Sequence, residues 1–282
     1  MLKTYFFIPA NVQKFIEKAA GIPSDYIVFD LEDSVAFNEI DEALGNLKCI
    51  DIRKNYFVRP ALFAKNKLDV DKDMLHSLID IGFTNYIIPK FSDVLQLAKL
   101  KEIFTVSSQY DYHTFKFVIL VEHPAGLLFL KEAVQSKQLN ISALALGNYD
   151  YCNAMGMKHN LENLYYARQI ILNTARAYDL SAIDIVTLDY KDREAFCSEV
   201  LNGFSMGFDS KFLIHPMQLE QIHSIKYYSD EEVAEARELY PKILEMMQNK
   251  TSIVKLNGKI FEKPHINRII NIINWNNRYG SK

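Results

Sequence analysis

Eight short apolar runs, separated by longer amphipathic stretches, constrain the fold of this chain more than any other feature. They are Tyr5–Pro9, Tyr26–Leu31, Tyr56–Arg59, Tyr86–Pro89, Phe115–Val121, Ala143–Leu146, Ile183–Leu188 and Phe212–Ile214. Strands covered on both faces read as continuous apolar runs, and strand–helix alternation is how a chain makes parallel neighbours. Eight such units close into a ring, so the predicted fold is α/β, a (β/α)8 TIM barrel. The intervening stretches carry helix start and stop signals. Asn11 is predicted to cap the first helix, with Gly21 at its end, and Asp71 to cap a helix that Gly82 stops. Pro124 suits a first helical turn, while Asn160 and Asp192 each open a further helix, the second ending near Gly207.

Beyond the eighth run the pattern changes. Ser229-Asp-Glu-Glu232 reads as a capping box before a long charged helix, followed by a hairpin or loop and a final amphipathic helix. The expected division is a barrel over residues 1–225 and a C-terminal helical extension over 226–282. That extension either packs over the barrel bottom or reaches a neighbouring subunit.

Composition removes several function classes. With 32 Lys and Arg against 35 Asp and Glu, and a formal charge of -3, the chain has no basic excess for nucleic acid. No apolar run approaches the ~20 residues of a membrane helix. The cysteines, Cys49, Cys152 and Cys197, are scattered and form no C-x-x-C pair. The expectation is a cytoplasmic protein with reduced thiols and no membrane partner.

Nearly every apolar run ends in polar residues, and in a parallel barrel those ends converge on the catalytic mouth. The second run ends in Asp30-Leu31-Glu32-Asp33, the third in Arg59-Pro60, the fourth in Pro89-Lys90 and the fifth in Glu122-His123. Asp150 follows the sixth and His215 the eighth. Each has a plain structural reading: Glu122 at a helix dipole, Asp150 in a turn, Arg59 paired with any strand-two carboxylate, Lys90 solvated, His215 a hydrogen-bonded corner. Taken together, Glu122 and Asp150 beside Arg59 and Lys90 form a site for oxygen-ligated Mg²⁺ and an anionic ligand. A 2-oxo acid can chelate such an ion, with Arg59 holding its carboxylate or polarising its carbonyl. Pro89, Lys90 and His215 complete the candidate substrate-binding set. Zinc, nucleotide, Rossmann and serine-hydrolase signatures are missing. A Schiff-base role for Lys90 is the weaker alternative to the metal.

These residues resemble the citrate lyase β-subunit-like branch of the HpcH/HpaI aldolase superfamily, which includes malyl-CoA and citramalyl-CoA lyases. The resemblance runs through FIPAN, FDLEDSV, VRP, IPK, VEHPAG, LGNYD, YAR, DSKFLIHPMQ and NGKIFEKPH, in order along nearly the whole chain. It implies a (β/α)8 barrel that assembles as a homotrimer or homohexamer and uses Mg²⁺ to cleave or form a carbon–carbon bond. It places Glu122 and Asp150 as metal ligands, Arg59 against the oxo-acid, and Glu32 and Asp33 as the acidic pair around the metal's waters. It also implies that Glu262 supplies an acid or base to the adjacent subunit. The chain departs from relatives in Glu122-His123-Pro124, in Tyr149 where an acidic residue is common, in Arg59-Pro60-Ala61, and in Leu127 after Gly126. The expected activity is a Mg²⁺-dependent lyase on a short hydroxy- or oxo-acid unit carried as a CoA thioester. Two alternatives are a Mg²⁺ aldolase on free 2-oxo acids and a barrel that has lost turnover and serves as a binding or assembly subunit.

Overall fold

A computed structural model describes residues 2–63, 69–106, 111–248, 254–256, 259–261 and 263–279. They form two compact units, Leu2–Leu219 and Glu220–Lys282.

The larger unit is a closed parallel barrel of eight strands in sequence order. The strands are β1 (Lys3–Pro9), β2 (Tyr26–Leu31), β3 (Tyr56–Pro60), β4 (Asn85–Ile88), β5 (Lys116–Val121), β6 (Ile141–Leu146), β7 (Ser181–Asp184) and β8 (Ser210–Leu213). Closure comes from β1 pairing with both β2 and β8. Tyr5, Val28, Phe57, Ile87, Val118, Ala143, Ile183 and Phe212 fill the interior as one apolar cluster. A ring of eight strands is narrow enough for side chains to pack it solid.

The connecting helices are α1 (Gln13–Lys18), α2 (Ile40–Leu47), α3 (Lys72–Ile81), α4 (Val94–Val106), α5 (Pro124–Gln135), α6 (Asn148–Met155), α7 (Leu161–Ala177), α8 (Arg193–Met206) and α9 (Pro216–Ser224). Their ends follow local chemistry. Asp71, Asn160 and Asp192 accept from the N–H groups of Met74, Asn163 and Ala195. Pro124 opens α5 behind an N-cap His123.

Two expectations are corrected. Asn11 does not cap α1: the N-cap is Val12 without a side-chain bond, and the Asn11 amide donates to Glu39 at 2.7 Å. The seventh run also splits, because β7 begins at Ser181 and ends at Asp184, before Ile185–Leu188. Asn148 is the reason. Its Oδ1 accepts from Val186 N–H at 3.0 Å and its Nδ2 donates to Val186 C=O at 2.9 Å, occupying the backbone groups a strand ladder would use.

The second unit holds α10 (Asp230–Gln248), the antiparallel pair β9 (Val254–Leu256) and β10 (Lys259–Phe261), and α11 (Lys263–Tyr279). The capping box forms: Ser229 Oγ accepts from Glu232 N–H, and Glu232 accepts from Ser229 N–H. Val233, Ala236, Leu239 and Ile243 of α10 pack with Ile266, Ile269, Ile272 and Ile273 of α11. Among the described residues no helix is long and apolar enough to cross a membrane.

Candidate active site

Asp30 and Arg59 are register partners in neighbouring strands, so β2 and β3 deliver opposite charges side by side. Arg59 Nε donates to Asp30 Oδ1 at 2.6 Å and Nη2 to Oδ2 at 2.8 Å, the bidentate fork of an arginine–carboxylate pair. Nη1 donates to Asp33 at 3.0 Å and lies 3.2 Å from Glu32. The guanidinium also sits 5.1 Å from the Phe7 ring centroid. Asp30 accepts further from Ser34 Oγ at 2.6 Å and from the N–H groups of Glu32 and Ser34. Burial pushes the Asp30 pKa up, but the Arg59 charge and these hydrogen bonds outweigh it and hold the carboxyl below its ordinary value. Arg59 therefore faces the cavity with its fork already engaged. Asp30, its main partner, was one of three candidate carboxylates within four residues of sequence; only the strand register selects it.

Glu122 ends the buried β5 run. The N–H of Lys90, at a left-handed φ of 51°, donates to Glu122 Oε2 at 2.7 Å, and Lys90 Nζ reaches Glu32 Oε1 at 2.6 Å. Gly147 lets Glu122 lie against the start of α6, since a Cβ there would meet Glu122 Cγ at 2.4 Å. Glu32, Asp33 and Glu122 bring carboxylate oxygens within 4.8 Å of one another. Four carboxylates, counting Asp30, share the two cations Arg59 and Lys90, so two negative charges are unbalanced when all are ionised. Burial and then the Glu32 charge push the Glu122 pKa up to about 8, Arg59 and the Lys90 N–H only partly opposing them. Burial raises the Glu32 pKa as well. Both Glu32 oxygens are buried and lie near cations, yet neither has a hydrogen bond of good alignment. Buried, under-satisfied hard oxygens with two uncompensated charges fit one divalent, oxygen-seeking ion such as Mg²⁺.

Part of this cluster borders a cavity of about 440 Å³ at the C-terminal mouth of the barrel, with Glu32 behind its wall. Asp30, Asp33, Ser34, Arg59 and Glu122 form its charged side, and Asp150, exposed on the first turn of α6, lies on the same wall system. Asp150 is outside the tight group of three carboxylates. The rest is mostly apolar, with Phe7, Leu146, Val186, Leu188, Phe212 and Ile214. Of the other expected substrate contacts, Pro89 is buried, Lys90 is engaged with Glu32 through its ammonium, and neither lines the cavity. His215 stacks on Tyr190 at 3.7 Å and accepts from Met217 N–H through Nδ1, with only its neighbour Ile214 on the cavity wall. Glu262 lies outside the described residues. Sequence reasoning missed Asn148; a buried amide directly after a strand was its one available signal.

A closed parallel barrel with an acidic, cation-bridged cluster at its mouth defines a barrel enzyme built to manage anionic oxygen chemistry. The chain belongs to the HpcH/HpaI aldolase/citrate lyase family, which it matches over residues 3–216. It is 26% identical to citrate lyase subunit beta of Leuconostoc mesenteroides subsp. cremoris, covering 99% of this chain and 96% of that one. It is 27% identical to (3S)-malyl-CoA thioesterase of Cereibacter sphaeroides, over 94% and 90% of the two chains. Its fold is similar to that of Mycobacterium tuberculosis CitE, solved with magnesium, acetoacetate and coenzyme A, with a TM-score of 0.76 at 23% identity over 97% of both chains.

Proposed function

We propose that this chain is a Mg²⁺-dependent carbon–carbon lyase that cleaves, or in reverse joins, a short hydroxy-acid unit carried as a CoA thioester. The observation that carries the reading is the cluster of Glu32, Asp33 and Glu122, with two unbalanced negative charges, at the mouth of a barrel of this family. Glu122 and Asp150 are assigned as the protein's metal ligands, with Glu32 and Asp33 holding the ion's waters. When bound, the ion would supply Lewis-acid charge to the hydroxyl and carboxylate oxygens of the oxo-acid half.

The chain's own groups do the rest. Arg59 keeps Asp30 ionised, holds Asp33 in place and presents its remaining positive charge to the cavity. Lys90 fixes Glu122 through its backbone and Glu32 through its ammonium. On cleavage the substrate hydroxyl loses its proton and its carbon becomes the oxo-acid carbonyl. The electron pair of the broken bond passes to the acyl α-carbon, which takes up a proton. Glu262, which lies outside the described residues, is assigned both transfers in the site of a neighbouring copy: its carboxylate takes the hydroxyl proton and returns it to the α-carbon. The proposed setting is cytoplasmic, as a homotrimer or homohexamer.

The test incubates the purified full chain with malyl-CoA, with citramalyl-CoA and with free citramalate, each with Mg²⁺ or with EDTA. Released oxo acid and released thiol are measured separately. Mg²⁺-dependent release of glyoxylate or pyruvate without free thiol is expected. Thiol release without oxo acid marks a thioesterase, and cleavage at full rate in EDTA marks a metal-independent reaction. Cleavage of free citramalate in preference to its thioester marks an aldolase on free acids. Each of these three results overturns the proposal.

A further inference from the structure

The cavity has one wall whose donors are accounted for and one donor that is not. On the charged side the Ser34 hydroxyl donates to Asp30, and the Arg59 fork is held by Asp30 and Asp33. On the apolar side Asn148 is buried, its Nδ2 2.6 Å from His159 Nε2 and bonded to Val186 C=O, and its Oδ1 accepts from Val186 N–H. Tyr149, the next residue, is different. Its ring lies parallel to that of His159 at 4.2 Å with an interplanar angle of 4°, which fixes the direction of its hydroxyl. The oxygen accepts from Leu188 N–H at 3.3 Å, and both Tyr149 and Leu188 line the cavity. A phenol that accepts one bond still has its proton to give. Among the described lining residues no other neutral side-chain donor keeps a proton uncommitted.

The charges on the walls decide what that proton serves. A second substrate carboxylate on the apolar side would meet Phe7, Val186, Leu188, Phe212 and Ile214, with no cation there among the described lining residues. Burying a carboxylate without a partner costs far more than burying a carbonyl that receives one hydrogen bond.

We infer that Tyr149 is the specificity-determining contact for the acyl half of the substrate, donating its hydroxyl proton to an uncharged acyl carbonyl oxygen, that of a thioester. The inference rests on the proposed lyase reading and deepens it. The oxo-acid half is recognised by the carboxylate cluster and its ion, and the acyl half by one neutral donor set in an apolar wall. Tyr149→Phe removes the hydroxyl and keeps the ring that stacks on His159.

The experiment titrates wild-type protein and Tyr149→Phe calorimetrically with three probes: pyruvate in the presence of Mg²⁺, CoA, and acetyl-CoA. Acetyl-CoA differs from CoA by the acyl group, so the ratio of their dissociation constants reads the carbonyl contact. In wild type acetyl-CoA is expected to bind more tightly than CoA. In Tyr149→Phe that preference falls about three- to tenfold while pyruvate binding is unchanged, which also shows that the cavity is intact. A preference that survives in Tyr149→Phe overturns the inference and leaves the lyase reading standing. So does a wild type that binds pyruvate but treats CoA and acetyl-CoA alike. If Tyr149→Phe loses pyruvate binding as well, the side chain shapes the whole cavity and the selective role is overturned. Wild-type protein that binds neither pyruvate with Mg²⁺ nor any thioester overturns the lyase reading and this inference together.

Discussion

Removing Asp30 takes the bidentate partner from Arg59, and removing Arg59 takes from Asp30 the cation that holds it ionised. Asp30 is 3% exposed and Arg59 9%, so neither has solvent to fall back on. Asp30→Ala removes two charge-assisted hydrogen bonds but leaves Arg59 beside Asp33 and Glu32, so it is expected to lose about 1–3 kcal/mol in urea unfolding at neutral pH. Arg59→Ala fails differently. It strips the main counter-charge from Asp30, Glu32, Asp33 and Glu122 at once, so its loss should be smaller at pH 5 than at pH 8, because protonation relieves the repulsion among them. Equal losses at the two pH values would show that Arg59 acts by packing on Phe7 rather than by charge. The arginine was legible in the sequence because it ends an apolar run. Which carboxylate it takes was not, since Asp30, Glu32 and Asp33 all lie within reach of a guanidinium and the choice follows from strand register. The same limit applies to Tyr149, whose hydroxyl acquires meaning only from Leu188, thirty-nine residues away.

Asn148 shows how one side chain sets the boundary of an element. Seven of the eight strands lie where apolar runs predict them, to within two or three residues, because a strand buried on both faces leaves a continuous apolar signature. The seventh run reads as a strand despite Asp184 and Thr187, yet its second half is drawn out of the ladder by the two bonds from Asn148 to Val186. Hydrophobicity reports burial and not hydrogen-bond partner, so sequence places the segment inside without saying what its backbone pairs with. The helix caps divide in the same way. Asp71, Asn160 and Asp192 cap as predicted because their partners lie three residues on, whereas Asn11 is drawn to Glu39 by tertiary contact. Asn148→Ala leaves the half-buried N–H and C=O of Val186 without these partners. A loss of about 2–3 kcal/mol follows, with faster amide exchange at Val186 and Leu188 than at β6. Unchanged exchange at Val186 would mean that the segment is held by its apolar neighbours instead.

Around the cavity the charge is segregated: the ends of β2, β3, β4 and β5 supply the carboxylates and their cations, and the ends of β7, β8 and β1 supply apolar wall, the buried pairs Arg168–Asp184 and Lys211–Glu199 lying away from it. This arrangement loads electrostatic strain onto one side of the cavity, and its pH dependence has a definite sign. The Glu122 carboxyl ionises near 4.5 when exposed in the unfolded chain and near 8 in the fold, where burial and Glu32 disfavour its charge. Between those values the folded state holds a proton that the unfolded state has released. Its contribution to stability is therefore fully present below 4.5, declines as pH rises through the window and levels off above 8. A divalent cation reverses the preference by favouring the ionised carboxylate, and must displace that proton to bind. At a fixed Mg²⁺ concentration the increase in Tm over an EDTA control should therefore grow from pH 5 to pH 8. Glu122→Gln keeps an acceptor for the Lys90 N–H but carries no charge. Without metal it is expected to melt above wild type at pH 8, and to gain little from Mg²⁺ at any pH. An increase that is flat with pH, or undiminished in Glu122→Gln, would place the ion away from Glu122 and leave the acidic cluster as a structural feature of the barrel mouth.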